Sequence, residues 1–288
     1  MFLPSRILEK KLLELLVEDV GLGDITSALI VPTETCVDAV IISNESAIVA
    51  GIEEAKTLLQ SLGLEAKGLL SDGEKIKPKQ TMLKISGDAR TILSAERTVL
   101  NILSRMSGIA TITRTLVEKL QDMGVKARVA CTRKSAPGLL YFDKKAVMIG
   151  GGDTHRLHLD DMILIKDNHI AIAGSVAEAV GRARQRASLS KKIEVEVTKI
   201  EDALAAAEAG ADIIMLDNFS PRQVKEAAKL LSKKRLNGKI LLEASGGITT
   251  KNALLFAAAG VDLISLGEIT HSVKAVDLSL EIMRVRRG

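Results

Sequence analysis

In the second half of the chain, charged or glycine-bearing groups stand where short apolar runs end. That is where a parallel α/β fold presents its reacting groups. Cys131-Thr132-Arg133-Lys134 follows Lys126–Ala130, and Lys166-Asp167-Asn168-His169 follows Met162–Ile165. Asp217-Asn218 follows Ile213–Leu216, Ile240–Leu242 runs into Ala244-Ser245-Gly246-Gly247, and Leu263–Leu266 runs into Gly267-Glu268. A further run, Ile193–Val197, carries its acids inside it as Glu194 and Glu196. Strand alternation puts both carboxylates on one face and Ile193, Val195 and Val197 on the other. Burying an unpaired charge costs roughly several kcal/mol, so each carboxylate needs a partner. For Glu194 a structural ion pair and a site role stand equally open. Glu196, nearer the strand's end, reads as a metal or ribose-hydroxyl ligand. With Asp217 on the next strand it would form a hard-oxygen site for Mg²⁺ shared with a substrate's phosphates.

The cations point to a complementary ligand. Gly150-Gly151-Gly152-Asp153-Thr154-His155-Arg156 reads as a mobile loop ending in an imidazole and a guanidinium. If Arg133, Lys134, Arg156 and Lys166 converge, their mutual repulsion calls for a polyanion in the same cavity. Ser245-Gly246-Gly247, read as leading into a helix, offers backbone N–H groups to a phosphate. Its place late in a barrel, ahead of Gly267 on the last strand, matches the usual phosphate position of such folds.

These groups need a scaffold, and the pattern supplies one. In the first half, Leu8, Leu12, Leu15 and Leu16 mark a helix over Ser5–Val17 that ends at Gly21-Leu22-Gly23-Asp24. Strand-like runs follow at Val37–Ile42, Glu65–Leu70 and Thr81–Ile85, with a helix over Ile52–Leu62 between the first two. Two further helices are expected, from about Arg90 to Arg105 and from Ala110 to Met123. In the second half the apolar runs alternate with Ala-rich helical stretches, the rhythm of βα units. The pattern Ala203, Leu204, Ala207, Ala209, Gly210, Asp212, Ile214, Leu216 recurs as Ala253, Leu254, Ala257, Ala259, Gly260, Asp262, Ile264, Leu266. Each copy is a small-residue helix, a glycine cap and a buried strand, which fits an α/β barrel better than an open sheet.

Composition narrows the class. The 288 residues are 47% hydrophobic and 26% charged, enough to bury a large core and too apolar for general disorder. No apolar run reaches bilayer length, and Arg6, Glu9, Lys10, Lys11 and Glu14 interrupt any leader-like stretch. Cys36 and Cys131 have no metal-ligand spacing and read as isolated thiols in a reducing cytoplasm. The net charge of +4 is mild, and aromatics at 2% without Trp leave little for nucleic-acid bases to stack on. Arg284, Arg286 and Arg287 read as a solvated helix end.

Taken in order, these motifs resemble quinolinate phosphoribosyltransferase over almost the whole chain. The resemblance runs from Glu18-Asp19 and Gly23-Asp24-Ile25-Thr26 through Glu96-Arg97, Leu100-Asn101 and Ser107-Gly108-Ile109-Ala110-Thr111. It continues through Thr132-Arg133-Lys134, the Gly150–Arg156 loop, Ile165–His169, Glu194–Val197, Met215–Asn218, Ser245-Gly246-Gly247 and Thr270-His271-Ser272. It implies an N-terminal α+β open-faced sandwich (1–107, joined by a C-terminal helix, 270–288) and an incomplete, TIM-like α/β barrel (108–269). It also implies a homodimer or a multiple of dimers, with active sites shared between subunits and Arg97 reaching across. By pattern alone Arg97 belongs to a polar helix stripe, Arg90, Ser94, Arg97, Asn101 and Ser104, and would be surface.

By the same resemblance Thr132, Arg133, His155 and Arg156 belong to the quinolinate site. Lys134 and Lys166 lie close to both substrates. Glu196 and Asp217 hold the ribose hydroxyls or the Mg²⁺ of phosphoribosyl pyrophosphate, and with the two lysines form the implied catalytic set. Ser245, Gly246, Gly247, Gly267 and His271 take the 5′-phosphate. Two positions depart from the family pattern. Ser135 stands for the usual Thr and keeps its hydroxyl, and Leu140 stands where a basic residue is common. Rival readings are a same-fold paralogue using nicotinate, a Schiff-base aldolase using Lys166, and a non-catalytic sensor of phosphorylated metabolites. The number of cations favours a dicarboxylate, and a sensor has little reason to keep Lys166, Glu196 and Asp217 together.

Overall fold

The computed structural model describes residues 3–234 and 240–287. In chain order it contains α1 (Ser5–Val20), α2 (Ile25–Ile30), β1 (Thr35–Ser43), β2 (Ala47–Ile48), α3 (Ile52–Ser61) and β3 (Glu65–Gly68). Then come β4 (Lys75–Ile76), β5 (Thr81–Asp88), α4 (Ala89–Asp122), β6 (Arg128–Cys131), α5 (Leu140–Ile149) and β7 (Ile163–Ile165). They are followed by α6 (Asp167–Ala173), α7 (Val176–Arg186), β8 (Ile193–Val197), α8 (Ile200–Glu208), β9 (Ile213–Asp217) and α9 (Pro221–Lys233). The last are β10 (Leu241–Ser245), α10 (Ala253–Ala257), β11 (Leu263–Leu266), α11 (Glu268–His271) and β12 (Leu278–Arg287). Two units divide the chain: Met1–Arg114, Tyr141–Gly151 and Val273–Gly288 form the first, and Thr115–Leu140 with Gly152–Ser272 the second.

In the first unit, an antiparallel sheet has the order β12-β1-β5-β3. Along β1, Val37, Ala39 and Ile41 are buried while Cys36, Asp38 and Val40 are part-exposed, so one face is packed and the other open. The packed side draws on the buried stripes of α1 (Leu8, Leu12, Leu16) and α3 (Ile52, Ala55, Leu58, Leu59). The open side carries Asp38, Lys84, Ser86 and Met283 around a shallow hollow. This is an open-faced α+β sandwich.

Three expectations are corrected here. The C-terminal segment is the strand β12 and not a helix over 270–288. Leu278, Leu280 and Ile282 alternate with period two, and the segment pairs with β1 from Ser43↔Leu278 to Thr35↔Arg287. The two helices expected on either side of residues 105–110 are one, α4, and Gly108 does not break it. Gly108 is there because a side chain would not fit: an added Cβ would lie 2.3 Å from the Lys274 carbonyl oxygen. The third correction concerns Tyr141–Gly151, which belongs to the first unit and not to the barrel. Ion pairs account for it: the Arg105 guanidinium grips the buried Asp143 carboxylate through Nε at 2.7 Å and Nη2 at 2.8 Å. Lys145 meets Glu54 at 2.7 Å and also pairs with Glu53.

The second unit is a six-stranded, all-parallel sheet in the order β6-β11-β10-β9-β8-β7, flanked by helices. Within the described residues β6 and β7 do not pair, so the sheet is an incomplete α/β barrel. The repeated pattern is visible in three dimensions: α8 turns at Gly210 (φ 93°) into β9, and α10 turns at Gly260 (φ 101°) into β11. Both glycines sit in a conformation that side-chain-bearing residues rarely adopt. No helix among the described residues is long and apolar enough to cross a membrane.

Candidate active site

At the carboxyl ends of the second unit's strands, the sheet brings together most of the residues singled out by sequence. Register sets the acids: β8 and β9 run parallel with Glu196 opposite Met215, so Glu196 and Asp217 emerge at neighbouring strand ends. Lys166 follows β7 and reaches across to Glu196, Nζ to Oε2 2.7 Å. Asp217 is pushed above the usual carboxylate range, first by burial and then by the charge of Glu196; Lys166 and Lys134 oppose the shift. Two carboxylates crowded together, with one paired to a lysine, form a hard-oxygen donor set suited to a small divalent cation.

The phosphate-type loop is built by backbone strain. Ser245 ends β10 beside Asp217. Gly246 (φ 82°) and Gly247 (φ 62°) follow in the left-handed region. A Cβ on Gly246 would lie 2.6 Å from the Asn218 amide nitrogen, from Asn218 Oδ1 and from Asp217 Oδ1, so glycine alone fits. Asn218, itself at φ 56°, donates from Nδ2 to Asp217 Oδ2 at 2.7 Å. The next helix, α10, begins only at Ala253 and is five residues long. The expected helix N-terminus therefore contributes nothing here, and any phosphate would meet loop amides. Gly267 lies close by: a Cβ there would meet the His271 ring at 2.9 Å and the Lys134 side chain at 3.1 Å. Thr270 Oγ1 donates to the Lys134 carbonyl at 2.9 Å, and Thr132 Oγ1 accepts the Lys134 N–H at 3.1 Å. Lys134, Gly267 and His271 are thus one group.

The segment that leads to His155 and Arg156 pairs with β6 on the edge away from β11. Asp153 forms a parallel bridge with Ala130, and its carboxylate accepts the His155 N–H at 2.8 Å. His155 adopts φ 52°, which turns its ring inward. The ring is 8% exposed, and its Nε2 lies 3.0 Å from Glu243 Oε2 and 3.3 Å from Glu194 Oε2, both glutamates being fully buried. Burial disfavours a charged ring, but the two carboxylates outweigh it and push His155 up to about 10. Burial, with the Glu243 charge behind it, raises Glu194. Burial and the neighbouring Arg133 charge lower Arg156, while Glu194 supports its cation. Arg133 and Arg156 are therefore close enough to repel, as convergence on an anion requires.

Sequence reasoning read the Gly150–Gly152 stretch as mobile, and for Gly150 that is corrected. A Cβ there would lie 2.6 Å from Thr113 Cβ, and Arg114 Nε holds its carbonyl at 3.0 Å. Arg97 lies exposed on α4, in the first unit. Three residues were missed. Glu243 is a lone acid on an apolar strand two places before Ser245, and alternation alone could have put it on the same face. Asp153 and Asn218, which fix His155 and Asp217, gave no signal beyond adjacency.

Comparison with known proteins resolves the class of chemistry. Residues 109–281 match the family model for the quinolinate phosphoribosyl transferase C-terminal domain, and 24–107 match that for its N-terminal domain. The chain belongs to the quinolinate phosphoribosyltransferase family. A relative from Methanocaldococcus jannaschii, named a probable nicotinate-nucleotide pyrophosphorylase (carboxylating), is 49% identical over 268 residues, covering 92% of this chain and 94% of that protein. One of the same name from Methanothermobacter thermautotrophicus is 46% identical over 269 residues, covering 93% and 96%. The solved nicotinate-nucleotide pyrophosphorylase of Francisella tularensis superposes with a TM-score of 0.89 at 39% identity, covering 98% of both chains.

Proposed function

We propose that the chain joins the ring nitrogen of quinolinate to the anomeric carbon of phosphoribosyl pyrophosphate. Pyrophosphate and CO₂ leave, and the product is nicotinate mononucleotide for NAD synthesis. The observation that carries this is the adjacency of two complementary groups at one sheet edge. Glu196 and Asp217 lie with Lys134 and Lys166 beside a glycine loop, and Arg133, His155 and Arg156 lie near the buried Glu194.

In this reading Arg133, Arg156 and His155, with Thr132, take the two carboxylates of quinolinate. Ser245, Gly246, Gly247, Gly267 and His271 take the 5′-phosphate. The ribosyl carbon loses its bond to pyrophosphate as the pyridine nitrogen approaches. Positive charge builds on the sugar, and Glu196 and Asp217 stabilise it. Lys134 and Lys166 offset the charge of the departing pyrophosphate. Once the nitrogen is quaternary, the ring accepts the electron pair left when the adjacent carboxylate departs as CO₂, and the ring carbon then takes a proton. Glu196 and Asp217 also fit Mg²⁺ carried in with phosphoribosyl pyrophosphate, because burial and then the charge of Glu196 raise Asp217, which a cation would relieve. That cation would supply charge neutralisation on the leaving group. The working form we propose is a cytoplasmic homodimer, or a multiple of it, in which Arg97 of one subunit completes its partner's site.

The test is substrate choice. A pocket that pairs two carboxylates leaves a guanidinium unpaired when one is missing, a loss of about 2–5 kcal/mol, or roughly thirtyfold or more in kcat/KM. Quinolinate labelled in the carboxylate beside nitrogen should release labelled CO₂ in step with mononucleotide. Nicotinate should react at least about thirtyfold more slowly, and phthalate should compete with quinolinate. Equal turnover of nicotinate, or mononucleotide without labelled CO₂, would refute the assignment.

A further inference from the structure

The family reading uses His155 and Arg156 but gives no work to the two carboxyl groups buried behind them. Glu194 on β8 and Glu243 on β10 are each 0% exposed, on strands separated by β9. Their carboxyl groups nonetheless meet at one atom, the Nε2 of His155. Neither oxygen of Glu194, nor Glu243 Oε1, has a hydrogen-bond partner among the described residues. Buried carboxyl groups without partners are costly, and a fold that keeps two of them around one imidazole is holding that ring for a purpose.

The opposite edge of the ring shows what is held. Nδ1 lies 2.8 Å from the Arg156 backbone nitrogen, whose N–H points at it. As a hydrogen bond that contact needs a lone pair on Nδ1, which assigns the ring's single proton to Nε2, facing the carboxyl groups. The pull of the carboxylates toward an imidazolium (His155 pushed up to about 10) works against this contact. A proton on Nδ1 would have to displace the Arg156 amide, and the geometry shows the amide in place. The chain of contacts is then continuous. Glu243 accepts from Nε2 with Glu194 Oε2 3.3 Å away, Nδ1 accepts from the Arg156 amide, Asp153 accepts the His155 amide, and His155 is held at φ 52°. Glu194 also supports the Arg156 cation directly, while Arg133 opposes it from the neighbouring strand end.

We propose that Glu194 and Glu243 are positioning residues for substrate recognition: they lock His155 as its Nε2–H tautomer, and through Nδ1 that ring fixes the Arg156 backbone and aims its guanidinium at a substrate carboxylate. The same three side chains, His155, Glu194 and Glu243, have the composition of a metal site. Their 3.0 Å nitrogen-to-oxygen contact is read here as a hydrogen bond, and the metal content of the purified protein decides between the two. The proposal rests on Arg156 meeting a carboxylate of quinolinate, and its first test does not depend on that.

The first test is the tautomer, read by ¹⁵N NMR of histidine-labelled protein, with the His155 signals assigned by their loss in His155→Gln. Expected is a pyridine-type Nδ1 and a protonated Nε2 near neutral pH. A protonated Nδ1, or a stoichiometric transition metal in the purified protein, would overturn the proposal whether or not the variants fold. The second is a pair of variants assayed against both substrates. Glu243→Gln keeps an oxygen to accept from Nε2 and should leave the quinolinate KM within about threefold of wild type. Glu243→Leu removes the acceptor and should raise the quinolinate KM at least tenfold, with the KM for phosphoribosyl pyrophosphate nearly unchanged. Equal KM values in the two variants, or a loss confined to kcat, would overturn it. Failure of the carboxylate reading looks different: the tautomer would be as expected, yet nicotinate would react as well as quinolinate.

Discussion

Replacing Gly246 by Ala separates two causes that glycine loops usually combine, backbone strain and lack of room. The left-handed φ of 82° penalises any Cβ by about 1–2 kcal/mol. The same Cβ would lie 2.6 Å from Asp217 Oδ1 and from two Asn218 atoms, one of them main chain, and relieving such overpacking costs about 1–3 kcal/mol more. Gly247→Ala is the matched control. Its φ is 62°, and the nearest atom to its Cβ would be 3.9 Å away, so only the first cost applies. Gly246→Ala should therefore destabilise by about 2–5 kcal/mol and Gly247→Ala by about 1–2. At about 2–4 °C per kcal/mol for a domain of this size, Tm should fall roughly 2–12 °C further in the first variant. The displaced groups include Asp217 and the loop amides, so activity should diverge more than stability. We expect kcat/KM for phosphoribosyl pyrophosphate to fall on the order of a hundredfold in Gly246→Ala and less than about tenfold in Gly247→Ala. Calorimetry and initial rates at varied phosphoribosyl pyrophosphate decide it. Equal effects in the two variants would refute the steric argument, and an unchanged KM in Gly246→Ala would remove the loop from the phosphate site.

Three other outcomes follow from the structure. Asp217→Asn should lower turnover and flatten the response to Mg²⁺ without changing the circular dichroism spectrum; a normal Mg²⁺ titration would take Asp217 out of the site. Arg97→Ala and Arg156→Ala proteins should each be nearly inactive and should recover part of their activity when mixed under conditions of proven subunit exchange, and no recovery would exclude a shared site. Arg105→Met leaves the buried Asp143 carboxylate without its bidentate partner and should destabilise by about 3–5 kcal/mol in chemical denaturation. A change below about 1 kcal/mol would mean the pair does not hold Tyr141–Gly151 in place.

Much of the site was legible because parallel strands obey simple rules. Each apolar run of the second half became a strand, and alternation on β8 put Glu194 and Glu196 on one face as read. What stayed hidden depends on contacts between distant residues. The first unit's claim on α5 rests on Arg105–Asp143 and Lys145–Glu54, 38 and 91 positions apart, and no local pattern encodes such pairs. The C-terminal strand was misread because its arginines suggested a helix end, although its apolar period was already two. Glu243 escaped because its neighbours Leu242 and Ala244 made its strand look purely structural, whereas its role depends on a histidine in a distant loop.

The pairing of β12 with β1 has a consequence for how the chain is made. Thr35 and Ser43 leave the ribosome early, but their partners Arg287 and Leu278 come only after every strand of the second unit. A nascent chain can therefore complete the parallel sheet while β1 still presents an unpaired edge. Such long-range closure is slow, and an open edge of Val37, Ala39 and Ile41 is a template for pairing with another chain in the meantime. The step most exposed to aggregation is then the last one, when the final strand returns to an edge that has waited since the start of translation.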